Sequence, residues 1–355
     1  MSRVGSALDP ARLEEAARVL REGGVVAFPT ETVYGLGADA RNARAVARIF
    51  EIKNRPVFDP LIVHVGSRED AAQLWVDTPP EAARLMEAFW PGPLTLVLPK
   101  KNSVLDLVTA GLPSVAVRMP RNPHALALIR RAGFPIAAPS ANLFGRTSPT
   151  TAAAVAEDLG DGPDVILDGG PCEVGVESTV LKIENGTGVL LRPGGVPIEE
   201  IAKLLPVSAD TRHASPGSPS ESPGLLTSHY APRTPLILLD TPLAASAAEI
   251  ARFAEKRRLQ GASWPRLGLL AFGAGSVPEY FAGSKNLSVS GDLREAASNL
   301  FQALRKLDRM NVDLILAENV PAHGLGAAIL DRLKRASSGQ GIRAFEKIIY
   351  QGETR

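Results

Sequence analysis

A single cysteine, Cys172, is all that 355 residues supply, so an internal disulfide cannot form and a cysteine-based zinc site is excluded. Histidine is scarce as well: His64, His124, His213, His229 and His323 are the whole set. The chain contains no GxxxxGK(S/T) loop, no HExxH and no GxSxG elbow, which leaves P-loop, zincin and hydrolase-triad chemistry without support. Aromatic residues make up only 5%, which weakens an RNA-binding reading built on base stacking. No run of eighteen apolar residues occurs, so no membrane-spanning helix is expected. The opening stretch MSRVGSALDPARLEEAARVL is interrupted by Glu14 and Glu15 and lacks the apolar centre of a signal peptide. A cytoplasmic location is the expectation.

Charge of one sign is also missing. Lys and Arg number 39 against 38 Asp and Glu, a net of +1, so no global field points to nucleic acid or membrane, although a local basic groove is compatible with that balance. A hydrophobic share of 45% and a charged share of 22% are those of a globular protein with a real core. The length accommodates two domains.

The strongest shift in composition runs from Pro206 to Pro235, PVSADTRHASPGSPSESPGLLTSHYAPRTP, where Pro, Ser and Gly crowd out any helical or strand period. We place one domain at 1–205, a Pro/Ser-rich linker at 206–235 and a second, smaller domain at 236–355. In the first, LEEAARVLREGG reads as an amphipathic helix closed by glycines. It is followed by short apolar runs: VVAFP, PLIVHV, PLTLVLP, SVAVRMP, FPIAAPSAN, DVILDGG, STVLKI and VLLRPGG. Runs of four to six apolar residues suit strands covered on both faces, interleaved with helices such as ARAVARIFEIK and PEAARLMEAFW, so the expected class is α/β with a large mixed sheet. The second block alternates PLILLD, a helix at 243–258, RLGLLAFG, a helix at 293–310, VDLILAENV and a helix from Gly326. That alternation predicts a small parallel sheet of Rossmann-like kind.

Polar residues cluster at the ends of these runs. VVAFP empties into Pro29-Thr30-Glu31-Thr32-Val33-Tyr34-Gly35-Leu36-Gly37, which reads either as a loop letting backbone approach a ligand or as a hairpin with exposed threonines. Lys53 and Arg55, two apart and stiffened by Pro56, suit a phosphate clamp or a solvated helix end. Arg118 and Arg192 lie inside apolar strands, where an unpaired charge is costly, so each requires a bound anion or an internal carboxylate. Pro139-Ser140-Ala141-Asn142 and Glu177-Ser178-Thr179 add hydroxyls and amides. Cys172 reads as a packing residue and His323-Gly324 as a strand-to-helix turn. His124 and His213 read as surface residues.

The ordered series PTETVYGLG, KNRP, PLIVHV, WPGPLTLVL, VAVRMP, PSAN, GVEST and LRPGG, followed by SPGLLTSHYAP and an α/β block, resembles the YrdC-like family of threonylcarbamoyl-AMP synthases in its long, two-domain form. The resemblance implies a twisted mixed sheet around a basic concave cleft. It also implies an enzyme joining ATP, with Mg²⁺, to L-threonine and bicarbonate as threonylcarbamoyl-AMP. The product would serve a downstream threonylcarbamoyl transferase complex that modifies adenosine 37 of tRNA. The alternative is a tRNA- or double-stranded-RNA-binding module. By the same resemblance, Lys53, Arg55, Asp59, Ser114, Ser140, Asn142, Ser148, Arg192 and Tyr230 are expected at ATP, with Lys53 and Arg55 catalytic. Thr32, His64, Arg118, Ala138 and Ser178 are expected at threonine. Asp59 departs from the family's usual Asn, and is expected either to associate with the metal or to turn toward Lys53 or Arg55. The strap carrying Tyr230 reads either as a lid closing over the active site or as a passive tether.

Overall fold

A computed structural model describes residues 4–209, 229–240 and 265–338, with the single positions 222, 243, 245, 246 and 250. The chain divides into two compact units, residues 1–144 with 148–226, and 145–147 with 227–355. The division falls inside the proline-rich stretch, most of which lies outside the described residues together with His213 and most of the 243–258 helix.

The first unit holds strands β1 (Val4–Ser6), β2 (Val26–Phe28), β3 (Gly35–Asp39), β4 (Ile62–His64), β5 (Leu94–Pro99), β6 (Ser114–Arg118), β7 (Ile136–Ala137), β8 (Val165–Asp168), β9 (Thr179–Glu184), β10 (Thr187–Arg192) and β11 (Val207–Ala209). They form one mixed sheet in the order β1-β8-β2-β3-β7-β4-β6-β5-β9-β10-β11. Its helices are α1 (Pro10–Arg21), α2 (Ala43–Lys53), α3 (Arg68–Leu74), α4 (Pro80–Phe89), α5 (Asp106–Thr109), α6 (Pro123–Ala132), α7 (Ala152–Leu159) and α8 (Ile198–Ile201).

Side-chain caps open several of these helices. The Asn42 side chain accepts from the amides of Arg44 and Ala45 to open α2, and Asn54 closes it in the left-handed conformation. Asn122 opens α6 in the same way, with Pro123 at the first helical position. Helix α2 turns Ala45, Val46, Ile49, Phe50 and Lys53 inward, the stripe of a helix with one buried face.

The faces of the sheet are covered unequally. One core joins Leu36, Val63, Leu96, Val117 and Leu181 of the strands to Val46, Ala71, Leu85, Val108, Val155 and Ile201 of six helices. On the opposite face, α1 and α6 pack over Val26, Phe28, Ile136, Val165 and Leu167. Further along that face only a small apolar group remains, Ile62, Val97, Ala116, Val180 and Leu191, and it is there that the polar side chains described below emerge.

The second unit has strands β12 (Leu236–Leu238), β13 (Leu267–Ala271), β14 (Phe281–Asn286) and β15 (Leu314–Ala317), with α9 (Leu293–Asp308) and α10 (Gly326–Ala336). The sheet order is β12-β15-β13-β14 and every pairing is parallel, as the strand–helix alternation predicts. Ahead of α10, a Cβ on Gly326 would lie 1.8 Å from the carbonyl oxygen of Pro321. Close backbone packing therefore explains this glycine.

Candidate active site

Cross-strand neighbours share a face of a sheet, and alternate residues return to it. His64 ends β4 directly beside Arg118 at the end of β6. The antiparallel pairing of β5 with β6 brings Thr95 level with Arg118, and β5 pairs Thr95 with Val180 of β9. Between β9 and β10 the register shifts at Leu190 and Arg192, so that Arg192 falls opposite Val180. This bulge places Arg192 on the same face as His64, Thr95 and Arg118, the familiar use of a bulge to re-aim a side chain. All four are buried.

Arg118 answers the question posed by a guanidinium in an apolar strand with an internal carboxylate. Its Nη2 lies 2.7 Å from Oε1 of Glu31, both side chains almost fully buried. Its Nη1 donates to Thr32 Oγ1 at 2.8 Å and its Nε to the Gly92 carbonyl at 3.2 Å. Thr32 is itself paired with Thr30 at 2.8 Å. Burial would raise the Glu31 carboxyl, but the charge and hydrogen bonding of Arg118 outweigh it and hold the group below the usual range. His64 packs edge-on to Phe28, ring centres 6.1 Å apart. Burial, reinforced by the Arg118 charge, depresses its pKa to about 3, so the imidazole is neutral at physiological pH.

Arg192 solves the same problem differently. Its Nη2 donates to the Ser178 carbonyl at 3.0 Å, and Ser178 Oγ shares a 2.7 Å hydrogen bond with Thr95. Ser148 bonds the buried carboxylate of Glu177. The loop after β10 seats this segment: the Gly195 amide donates to the Glu177 carbonyl, and a Cβ on Gly194 would lie 2.3 Å from Ser178 C and Thr179 N.

At the opposite end of β4 stand the residues of KNRP and PSAN. Lys53 is buried, its Nζ donating to the carbonyls of Ser140 (2.7 Å) and Asn142 (2.5 Å). It is thus a tie on the PSAN turn, neither a solvated helix end nor a cation standing in open solvent. Burial, then the Arg55 charge, pushes its pKa well below the usual lysine range. Arg55 donates to the carbonyls of Asp59 and Pro60, and its Nη2 lies 3.0 Å from Asp59 Oδ2. Of the two expectations for Asp59, the structure shows the turn toward Arg55. Ser114 opens β6, while Ala138 donates its amide to Ile62 O at 2.9 Å. Ser140 bridges Gly35.

The first unit therefore gathers Thr32, Lys53, Arg55, Asp59, His64, Ser114, Arg118, Ala138, Ser140, Asn142, Ser148, Ser178 and Arg192. Tyr230 is the exception. It belongs to the second unit, with a positive φ of 63°, packed against His229 (4.1 Å), Phe301 (5.9 Å) and the Arg332 guanidinium (5.1 Å). The PTETVYGLG segment turns into the β2–β3 hairpin, but its threonines are buried, against the reading that left them exposed. His124 is half-buried in the first turn of α6. Cys172 is buried in the core, and burial drives its pKa far upward. Glu31 and Thr95 escape a sequence reading because each partners a residue distant in the chain.

Comparison with known proteins agrees. The family described as Telomere recombination (Sua5_yciO_yrdC) matches residues 18–194, and the family Threonylcarbamoyl-AMP synthase, C-terminal domain, matches residues 196–338. The threonylcarbamoyl-AMP synthase of Pyrococcus abyssi is 44% identical over 92% of this chain and 95% of its own length. That of Bacillus subtilis is 44% identical over 94% and 95%. The crystal structure of P. abyssi Sua5 complexed with L-threonine superposes with a TM-score of 0.83 at 44% identity, covering 93% of this chain and 95% of that one. The two family models, which together span residues 18–338, and these relatives agree: the chain belongs to the Sua5/YciO/YrdC family, in the form that carries the threonylcarbamoyl-AMP synthase C-terminal domain.

Proposed function

We propose that this chain is an L-threonylcarbamoyladenylate synthase, a nucleotidyltransferase that forms threonylcarbamoyl-AMP and pyrophosphate from L-threonine, bicarbonate and ATP. The observation that carries the reading is the face bearing His64, Thr95, Arg118 and Arg192, which offers cations and hydroxyls beside a histidine held neutral. The chemistry asks for that set. Once threonine's amine has added CO₂ and lost a proton, the resulting N-carboxylate is already an anion. It attacks the α-phosphorus, and the bond to pyrophosphate breaks. No side-chain base is needed for that step, so catalysis rests on orientation and on fixed positive charge. Arg118 is assigned to the threonine carboxylate, and the Lys53-braced PSAN turn and Arg55 to the nucleotide.

Mg²⁺ is assigned to the phosphates of ATP. Among the described residues no three His, Cys, Asp or Glu side chains gather as metal ligands, and Asp59 is engaged with Arg55. Such a donor set suits an ion that arrives with its nucleotide. Among the described residues no helix is long and apolar enough to cross a membrane. The product is expected to pass to a threonylcarbamoyl transferase acting on tRNA.

The purified chain, incubated with ATP, Mg²⁺, bicarbonate and labelled L-threonine, is expected to yield threonylcarbamoyl-AMP and pyrophosphate, both requiring threonine and bicarbonate. An absence of product, with tRNA retained in a gel shift, would replace this reading with the RNA-binding one.

A further inference from the structure

Arg118 alone could hold a substrate carboxylate, yet the chain buries an opposite charge against it. We infer that Glu31 is a specificity-determining residue of the amino-acid site: its carboxylate takes the ammonium group of the molecule whose carboxylate Arg118 takes, and the pair reads a zwitterion. This rests on the function proposed above.

The geometry has three parts. The guanidinium is fixed from two sides, through Nη1 to Thr32 and Nε to Gly92. The third contact, Nη2 to Glu31 Oε1, is a buried ion pair at 2.7 Å, and neither atom has a hydrogen-bond partner beyond the other. A donor and an acceptor thus retain open directions side by side. Hydrogen-bonding capacity left open on two buried, oppositely charged atoms points to a ligand that supplies both halves.

A simple anion would satisfy Nη2 and be repelled by Oε1, and a simple cation would do the reverse. An α-amino acid carries ammonium and carboxylate on one carbon and suits both. Glu31 is also anchored independently of Arg118. Its Oε2 accepts from the Asn122 amide at 3.4 Å, and its carbonyl accepts from the Val174 amide at 2.8 Å. The neighbouring His64 adds no charge, so one arginine and one glutamate leave the cluster neutral overall, matching a zwitterion.

The rival role for Glu31 is that of a counter-ion which merely keeps Arg118 in place. Calorimetric binding of L-threonine and of its hydroxy-acid analogue, with hydroxyl in place of the amine, separates the two. The wild-type chain is expected to prefer threonine by about 100-fold or more, as removal of a buried charge partner warrants. Glu31→Gln is expected to narrow that ratio below about fivefold by weakening threonine, with ATP affinity held within about twofold. Glu31→Asp, which restores the charge one methylene short, should recover part of the ratio. Parallel weakening of both ligands in Glu31→Gln, with the ratio unchanged, would overturn the inference. Should Glu31→Gln not fold, Glu31→Asp decides alone: a ratio reduced at least about tenfold supports contact with the ammonium, and an unchanged ratio refutes it. Failure of the parent reading shows itself separately, as a wild-type chain that binds no threonine and forms no adenylate.

Discussion

The two sheets of this chain place buried polarity in different ways. The strands of the second unit bury Leu236–Leu238, Leu267, Leu269–Ala271 and Leu314–Ala317 with no charged side chain among them, and they fold into a plain parallel sheet. The strands of the first unit bury His64, Thr95, Ser114, Arg118, Thr179 and Arg192. Folding alone needs none of these, as the second sheet demonstrates. Buried charge at strand ends therefore marks where the first unit does chemistry, and its cost is offset by partners such as Glu31 and Ser178.

The sharpest way to break this comparison is to cut into each sheet once. Arg118→Ala is expected to slow adenylate formation by about 10²–10³-fold and to lower stability by about 3–5 kcal/mol, because Glu31 is left buried and unpaired. Leu316→Ala, in the central strand β15 of the second sheet, is expected to cost about 2–5 kcal/mol of stability while the rate per folded molecule stays within about twofold. Denaturant titration with a parallel assay measures both. An equal loss of rate in Leu316→Ala would erase the distinction between the sheets.

Acid sharpens the comparison next. The folded pKa of His64 lies near 3 against 6.5 for an unhindered imidazole. Between those values the unfolded chain binds a proton that the folded chain refuses, so stability falls as pH drops through this window. The lowered Glu31 carboxyl acts in the same direction, its stabilisation being lost as pH falls through its folded pKa. The His64 contribution amounts to roughly 2–3 kcal/mol lost by about pH 4.5. Denaturation midpoints followed against pH should show this slope, and His64→Gln should flatten it. The smallest effect is expected from Asp59→Asn. Arg55 keeps its bonds to the backbone carbonyls and the amide oxygen of Asn can still accept from it, so activity should fall far less than in Arg118→Ala. Its Mg²⁺ requirement should be unaltered in a metal titration, and an altered requirement would return Asp59 to the metal.

The strands were legible because buried strands are continuous apolar runs, and Arg118 and Arg192 stood out as interruptions that demand a partner. Which partner was not legible. Arg118 found a carboxylate from another strand end, whereas Arg192 found the backbone of Ser178 by way of a bulge that no residue type announces. Lys53 was readable in part: it follows Val46 and Ile49 at helical spacing and so falls on the inward stripe of α2. Its charge made the outward reading look natural, and only the PSAN carbonyls, far along the chain, explain its burial. Glu31, between two threonines, carries no local signal at all.

The seat made by Gly194 has a consequence for how this protein tolerates change. Ser178 and Thr179 are held by backbone against backbone, and alanine is the larger residue at position 194. A scan that trims side chains one at a time passes over such a position in silence. Tolerance at LRPGG is instead set by what can be added, so variation there should be narrower than its look of a surface loop would lead one to allow.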